Sequence, residues 1–168
     1  MIQKHDPRSP GADLIPGDVD LFVVLAEDDR VAVILDRVRA QPAGFEFDLL
    51  MVGQVQSLVR VMHPGAVEGS AGLRAFAASA LGEEPPVLDC GVQFAGKGPG
   101  PVEARLHMKS GFSRDGETDA SFWVRPLPPV GDVIFTVTVG DLTGSAVISG
   151  NDLRSAATRA RRLGASGR

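Results

Sequence analysis

The most constraining stretch of the chain lies between Arg30 and Met51. Gln41-Pro42-Ala43-Gly44 reverses its direction, and Phe45, Phe47, Leu49 and Met51 then alternate with Glu46 and Asp48. A period of two puts the apolar set on one face of an extended segment and the carboxylates on the other, which is a strand with one buried side. Ahead of the turn, Val31, Val33 and Leu35 share one parity and Val38 and Ala40 the other. The inward face must therefore switch near Asp36-Arg37, as a β-bulge or a bend between sheets would do. The two segments form a hairpin.

Other segments read the same way. Leu21 to Ala26 is a short apolar run closed by Glu27-Asp28-Asp29-Arg30, a strand ended by a polar turn. Gly91 to Ala95, Gly96-Lys97-Gly98-Pro99-Gly100, and Val102 to Met108 read as strand, turn and strand, with Glu103, Arg105 and His107 on the wet side. Ser121 to Arg125 continues through Pro126-Leu127-Pro128-Pro129 to Val133–Val139 as a further hairpin, and a last strand, Ala146 to Ile148, follows the glycines 140 and 144. Helical spacing occurs twice. Ser70 precedes Leu73, Phe76, Ala77, Ala80 and Leu81, and Asn151 or Asp152 precedes Leu153, Ala156, Ala157, Ala160 and Leu163, with Gly164 as the stop.

With 20 Gly and 12 Pro in 168 residues, turns are frequent. The expected fold is an immunoglobulin-like antiparallel β-sandwich with a short inserted helix and a C-terminal helix, a small β-barrel being the alternative. Residues 1–17, with Pro7, Pro10 and Pro16, read as a flexible leader, residues 18–163 as a single sandwich domain, and residues 164–168 as a disordered tail.

A net charge of −4 disfavours nucleic acid and anionic lipid as partners. Cys90 is the one cysteine, so no internal disulfide forms, and a reducing cytoplasm is the expected setting. The N-terminal stretch lacks the basic and apolar regions of a signal peptide, and no apolar run approaches the ~18 residues of a membrane span.

Three stretches carry a resemblance: Arg30-Val31-Ala32-Val33 through Pro42-Ala43-Gly44-Phe45-Glu46-Phe47, Glu84-Pro85-Pro86 to Gly91-Val92-Gln93-Phe94-Ala95, and Phe122-Trp123-Val124-Arg125-Pro126-Leu127-Pro128-Pro129. They resemble a family of small uncharacterised bacterial β-sandwich proteins of high-GC bacteria, over roughly Asp20 to Ala160. The resemblance implies a sandwich fold and carries no assigned function or site residue. The chain departs from the family pattern at Gly96-Lys97-Gly98, where an Asp-Gly turn is usual, and at Arg125, where a second tryptophan is frequent.

Catalytic and metal-binding patterns are not evident. His5, His63 and His107 are far apart and Cys90 has no CxxC partner, so no metal is expected. Gly96-Lys97-Gly98-Pro99-Gly100 leads into a strand, whereas a phosphate-binding P-loop leads into a helix. No serine sits in a GxSxG elbow, Cys90 reads as a buried or half-buried thiol, and no cofactor is implied.

The leading reading is therefore a non-catalytic protein-interaction or assembly module, because Phe22, Val24, Ile34, Leu50 and Ile134 are left over on the second face of their strands and something must cover them. The cover is either the two helices or another subunit, and a protein partner or self-association is the expected interaction. Phe122 and Trp123 face opposite ways, so one ring belongs in the core while the other is exposed or covered by the proline segment. Trp123 and Arg125 are thus partner-contact candidates. Arg159, Arg161 and Arg162 are others: residues 151–168 hold five arginines against Asp152 alone, a local net of +4. The alternative is a small-ligand carrier or an enzyme whose site forms only in three dimensions, from Glu46, Asp48, Glu103, Arg105 and His107 on the wet sheet face.

Overall fold

The computed structural model describes residues 13–53, 60–62, 87–95, 102–114 and 117–164. The expected helix from Ser70, the turn at Gly96–Gly100, His5, His63 and the tail after Gly164 lie outside the described residues. In chain order the elements are β1 (Leu14–Ile15), β2 (Gly17–Val19), β3 (Val23–Glu27), β4 (Val31–Gln41), β5 (Gly44–Gly53), β6 (Arg60–Met62), β7 (Val87–Phe94), β8 (Arg105–Arg114), β9 (Glu117–Arg125), β10 (Asp132–Val139), β11 (Leu142–Ser149), α1 (Gly150–Thr158) and β12 (Arg161–Arg162).

A six-stranded sheet runs β2-β4-β5-β9-β8, with β3 also paired to β4, and a four-stranded sheet runs β11-β10-β7-β6. Every pairing is antiparallel except β6 with β7, which is parallel. Among the described residues neither sheet closes on itself, so the barrel alternative does not hold.

The β4–β5 hairpin forms as its pattern requires. Val31, Val33, Leu35, Val38 and Ala40 are all buried, and the register slips between Leu35 and Arg37, so one extra residue at Asp36 keeps both apolar sets inward. Phe45, Phe47, Leu49 and Met51 line the same inner face. Opposite them stand Leu88, Cys90, Val133, Phe135 and Val137 of the four-stranded sheet. Aromatic rings knit the two layers. Phe47 stacks on Phe122 at 5.1 Å and meets Phe135 edge-on at 5.1 Å, while Phe45 meets Phe135 edge-on at 6.1 Å.

Two expected hairpins are not hairpins. β7 pairs with β10 and β6 whereas β8 pairs with β9, so the segment after Ala95 passes between sheets. Likewise β9 and β10 lie in different sheets, and Pro126-Leu127-Pro128-Pro129 is the connection between them. Proline withholds the N–H that a hairpin ladder needs, so a crossover suits this segment better than a turn within one sheet. β10 and β11 do form a hairpin, turning at Gly140 with φ +57, while Gly144 lies inside β11.

The final helix is shorter than its spacing suggested. Ser149, not Asn151 or Asp152, caps it, its side chain accepting from the Asn151 N–H at 3.2 Å. Leu153, Ala156 and Ala157 dock on the core, but the helix ends at Thr158 and Leu163 is 62% exposed. Beyond it Arg161 and Arg162 pair with Ile15 and Leu14 as a two-stranded ribbon. Residues 14–15 and 17, inside the stretch read as a leader, belong to strands.

Candidate functional site

The inner face of the six-stranded sheet is filled by the second layer, so the ionisable side chains gather on its outer face. Strand parity and register lay them out in rows across the sheet. One row runs Arg37, Asp48, Ser121, Ser110, and the next runs Asp18, Arg39, Glu46, Trp123, His107. At the end of the sheet beyond that, Arg125 is paired with Arg105. Glu46, Asp48, Arg105 and His107 are thus brought to one face, together with Trp123 and Arg125. Glu103, also expected there, is exposed and precedes β8, outside the strand pairing.

Both carboxylates on β5 are buried, not wet, with Glu46 6% and Asp48 8% exposed. A buried carboxylate needs partners, and each has them. Glu46 accepts Arg39 Nη2 on one oxygen and Lys109 Nζ on the other, both at 2.5 Å. Lys109 starts on β8 and reaches across β9, about 10 Å at ordinary strand spacing, to do so. Asp48 accepts from the Ser121 hydroxyl at 2.6 Å and faces Arg37 at 3.7 Å.

A second bulge makes this possible. The β8–β9 register slips between Met108 and Ser110, leaving Lys109 as the extra residue. The bulges at Asp36 and Lys109 flank the same cross-strand row, Arg37-Asp48-Ser121-Ser110, from its two ends. Bulges re-aim side chains locally, and here they supply the charges around Glu46 and Asp48. The first was legible in the parity switch at Asp36. The second left no such signal, because Lys109-Ser110-Gly111 has no apolar pattern to interrupt.

Nearby, burial holds the Asp119 carboxyl above its usual range, reinforced by Asp48 and Asp36 and opposed by Arg37. The outer face therefore carries an acidic cluster beside its paired row.

Trp123 is 1% exposed, yet it lies on the outer side of the sheet, opposite Phe122, and its indole N–H has no hydrogen-bond partner. Both aromatic neighbours are buried, Phe122 in the core between the sheets and Trp123 on the outer side, so neither ring is exposed. The ring rests over Gly44, where a β-carbon would stand 2.9 Å from Cζ2 and 3.1 Å from Cη2.

The opposite part of the same face is apolar. Val24, Ile34 and Leu50 form a row across β3, β4 and β5, with Val24 43% exposed, Ile34 and Leu50 half-buried, and Phe22 beside them 65% exposed. Helix α1 packs on β2 and β4 at the core side and does not cover this row. Ile134, on the other sheet, is half-buried.

The C-terminal arginines are occupied within the chain. Arg159 donates to the Asp18 carbonyl at 2.6 Å and to Ser155 Oγ at 3.2 Å, and Arg162 faces Asp13 at 3.8 Å. Arg161 stands opposite Ile15 in the terminal ribbon. A groove of about 570 Å³ lies between α1 and the two loops, lined by Pro42, Pro126, Leu127, Arg154, Ala157 and Thr158. Among its described lining residues the charged one, Arg154, is tied to the Pro128 carbonyl at 3.3 Å.

Cys90 is buried, and burial, with Asp89 adding to it, pushes the thiol up to about 12, far from thiolate chemistry. Among the described residues no three His, Cys, Asp or Glu side chains are grouped to hold a metal ion, and no helix is long and apolar enough to cross a membrane. No family model, curated protein or solved structure matches the chain.

Proposed function

We propose that the protein is a non-catalytic assembly module whose outer sheet face binds a second copy of the chain. The observation that carries this reading is the apolar row of Val24, Ile34 and Leu50 with Phe22 at its edge, since large apolar side chains grouped on an open sheet face mark interaction surfaces. A row of uncharged side chains is complementary to itself, so a two-fold contact needs no other partner. The ion pairs around Glu46 and Asp48 suit a scaffold more than a reaction centre, because every acid and base in them is engaged.

The same reading takes the sandwich as immunoglobulin-like, in favour of which stand two sheets facing each other through Phe47 and Phe135. It takes the protein as a member of the bacterial β-sandwich family its sequence resembles, working in the cytoplasm, where the lone thiol of Cys90 stays reduced.

Sedimentation over a wide concentration range tests it. Dimers that dissociate in Phe22→Asp and Val24→Asp, with the fold of both variants intact by circular dichroism, are expected. A strict monomer at the highest concentration overturns it.

A further inference from the structure

The cations of the outer face are matched with acids, except at one end. Arg37 has Asp48, while Arg39 and Lys109 share Glu46. Arg105 and Arg125 are direct cross-strand partners, and neither makes an ion pair or side-chain hydrogen bond. Like charges directly opposite one another on a sheet repel, their β-carbons being about 5 Å apart. Arg37, Arg39 and Lys109 each have an acid, whereas these two guanidiniums stand together with none among the described residues. Glu103, two residues before Arg105, is exposed and pairs with neither.

The neighbouring donors are in the same condition. Arg125 Nε is buried without an acceptor, and so is the indole N–H of Trp123, two residues back along β9. Trp123 is nearly fully buried, so its N–H is an unpaired polar group that no bulk water satisfies. All of these groups are donors. Arg105 is exposed and Arg125 half-buried, so the guanidinium pair, though not the indole behind it, faces solvent on the Arg105 side.

We infer that Arg105, Arg125 and the Trp123 N–H form a binding site for a phosphate group, free or carried by a small-molecule monoester. Guanidinium forks match phosphate oxygens in bidentate fashion. A phosphate carries between about −1.5 and −2 at neutral pH, which offsets two arginines, and its several oxygens can take donors from more than one direction. A carboxylate has one plane and about one charge, and it is filled by a single fork. Binding removes the repulsion between the two arginines and supplies the acceptors that Arg125 Nε and the indole lack.

The molecule has a built-in reporter, because it contains one tryptophan and no tyrosine, so its intrinsic emission comes from Trp123. The full chain is titrated at constant ionic strength with inorganic phosphate, glycerol phosphate, malonate and chloride. Saturable change in Trp123 emission with the phosphates is expected, together with a rise in Tm that Arg105→Gln loses. Affinity falls at least about tenfold in Arg105→Gln and in Arg125→Gln and is unchanged in Arg162→Gln, whose side chain lies in the terminal ribbon. Saturation by inorganic phosphate alone marks a free-ion site, and tighter binding of glycerol phosphate marks an ester site. The inference is overturned if no anion saturates the signal, if malonate matches phosphate, or if Arg105→Gln, exposed and compatible with the fold, binds as wild type does. Because Phe22 and Val24 are not in this site, Phe22→Asp should bind phosphate normally even where the dimer is lost.

Discussion

Trp123 packs against Gly44, so closely that a β-carbon at the glycine would come within 2.9 Å of Cζ2 and would collide with the Val124 carbonyl oxygen as well. The carbonyl belongs to the β5–β9 ladder and cannot swing away as a side chain tip could. Gly44→Ala should therefore destabilise the protein by about 1–3 kcal/mol, the usual cost of overpacking, with a shift in Trp123 emission. An unchanged urea midpoint would show that β5 and β9 can part at this point.

Trp123 contributes by its volume and not by its N–H, which has no partner. Trp123→Ala should cost about 3–5 kcal/mol even though the ring is outside the inter-sheet core, because it is 1% exposed. Trp123→Phe, which keeps a ring over Gly44 and deletes only the orphaned donor and part of the volume, should recover most of that. Chemical denaturation of both variants measures the difference.

Removing the Glu46 charge strands two cations at once. Glu46→Gln should cost about 1–3 kcal/mol, the range for hydrogen bonds to charged groups, since Arg39 and Lys109 are 30% and 35% exposed and regain part of their hydration. Lys109→Met in the Glu46→Gln background should then cost little more, and a double-mutant cycle reads the coupling directly.

The Cys90 thiol gives an alkaline signature. Its folded value of about 12 stands above the ordinary 9.0, so the folded state holds the proton longer than the unfolded chain does. Its contribution is whole below pH 9 and is lost as pH rises from there toward 12, at no more than about 1.4 kcal/mol per pH unit. Cys90→Ala should flatten that part of the stability profile. In the native protein the thiol should resist labelling at pH 8 until denaturant is added.

Asp119 provides the opposite test at neutral pH. Its carboxyl is raised by burial and by Asp48 and Asp36, so ionising it costs the folded state more than the unfolded one. Asp119→Asn should stabilise the protein at pH 7 by about 0.5 kcal/mol or less, as befits a group that is largely exposed, and the gain should vanish once both states are protonated in acid. Thermal melts at the two pH values would show it.

Wherever one face of a strand was buried, which side faced inward was legible in the sequence. The parity switch around Asp36, the alternation from Phe45 to Met51 and the docking face of Leu153, Ala156 and Ala157 were all readable, because burial leaves a periodic imprint. Partner choice between strands left none. Nothing in Ser121–Arg125 or Val133–Val139 states that the proline segment carries the chain to the other sheet. The outer face was legible only as alternation. That Glu46 and Asp48 are buried depends on Lys109 reaching over β9 and on Arg39 and Arg37 beside them, contacts that register creates and no single strand encodes.

The ribbon in which Leu14 and Ile15 face Arg162 and Arg161 makes neighbours of the first and last strands described here. A short flexible linker could join residue 13 to residue 164 with little strain, and new termini could be opened at the exposed Gly140–Asp141 turn. Such a circular permutant would keep both sheets while relieving the ribbon of its task as a clasp. Retained cooperative unfolding in it would mean that the sandwich's architecture is independent of the order in which its strands are strung.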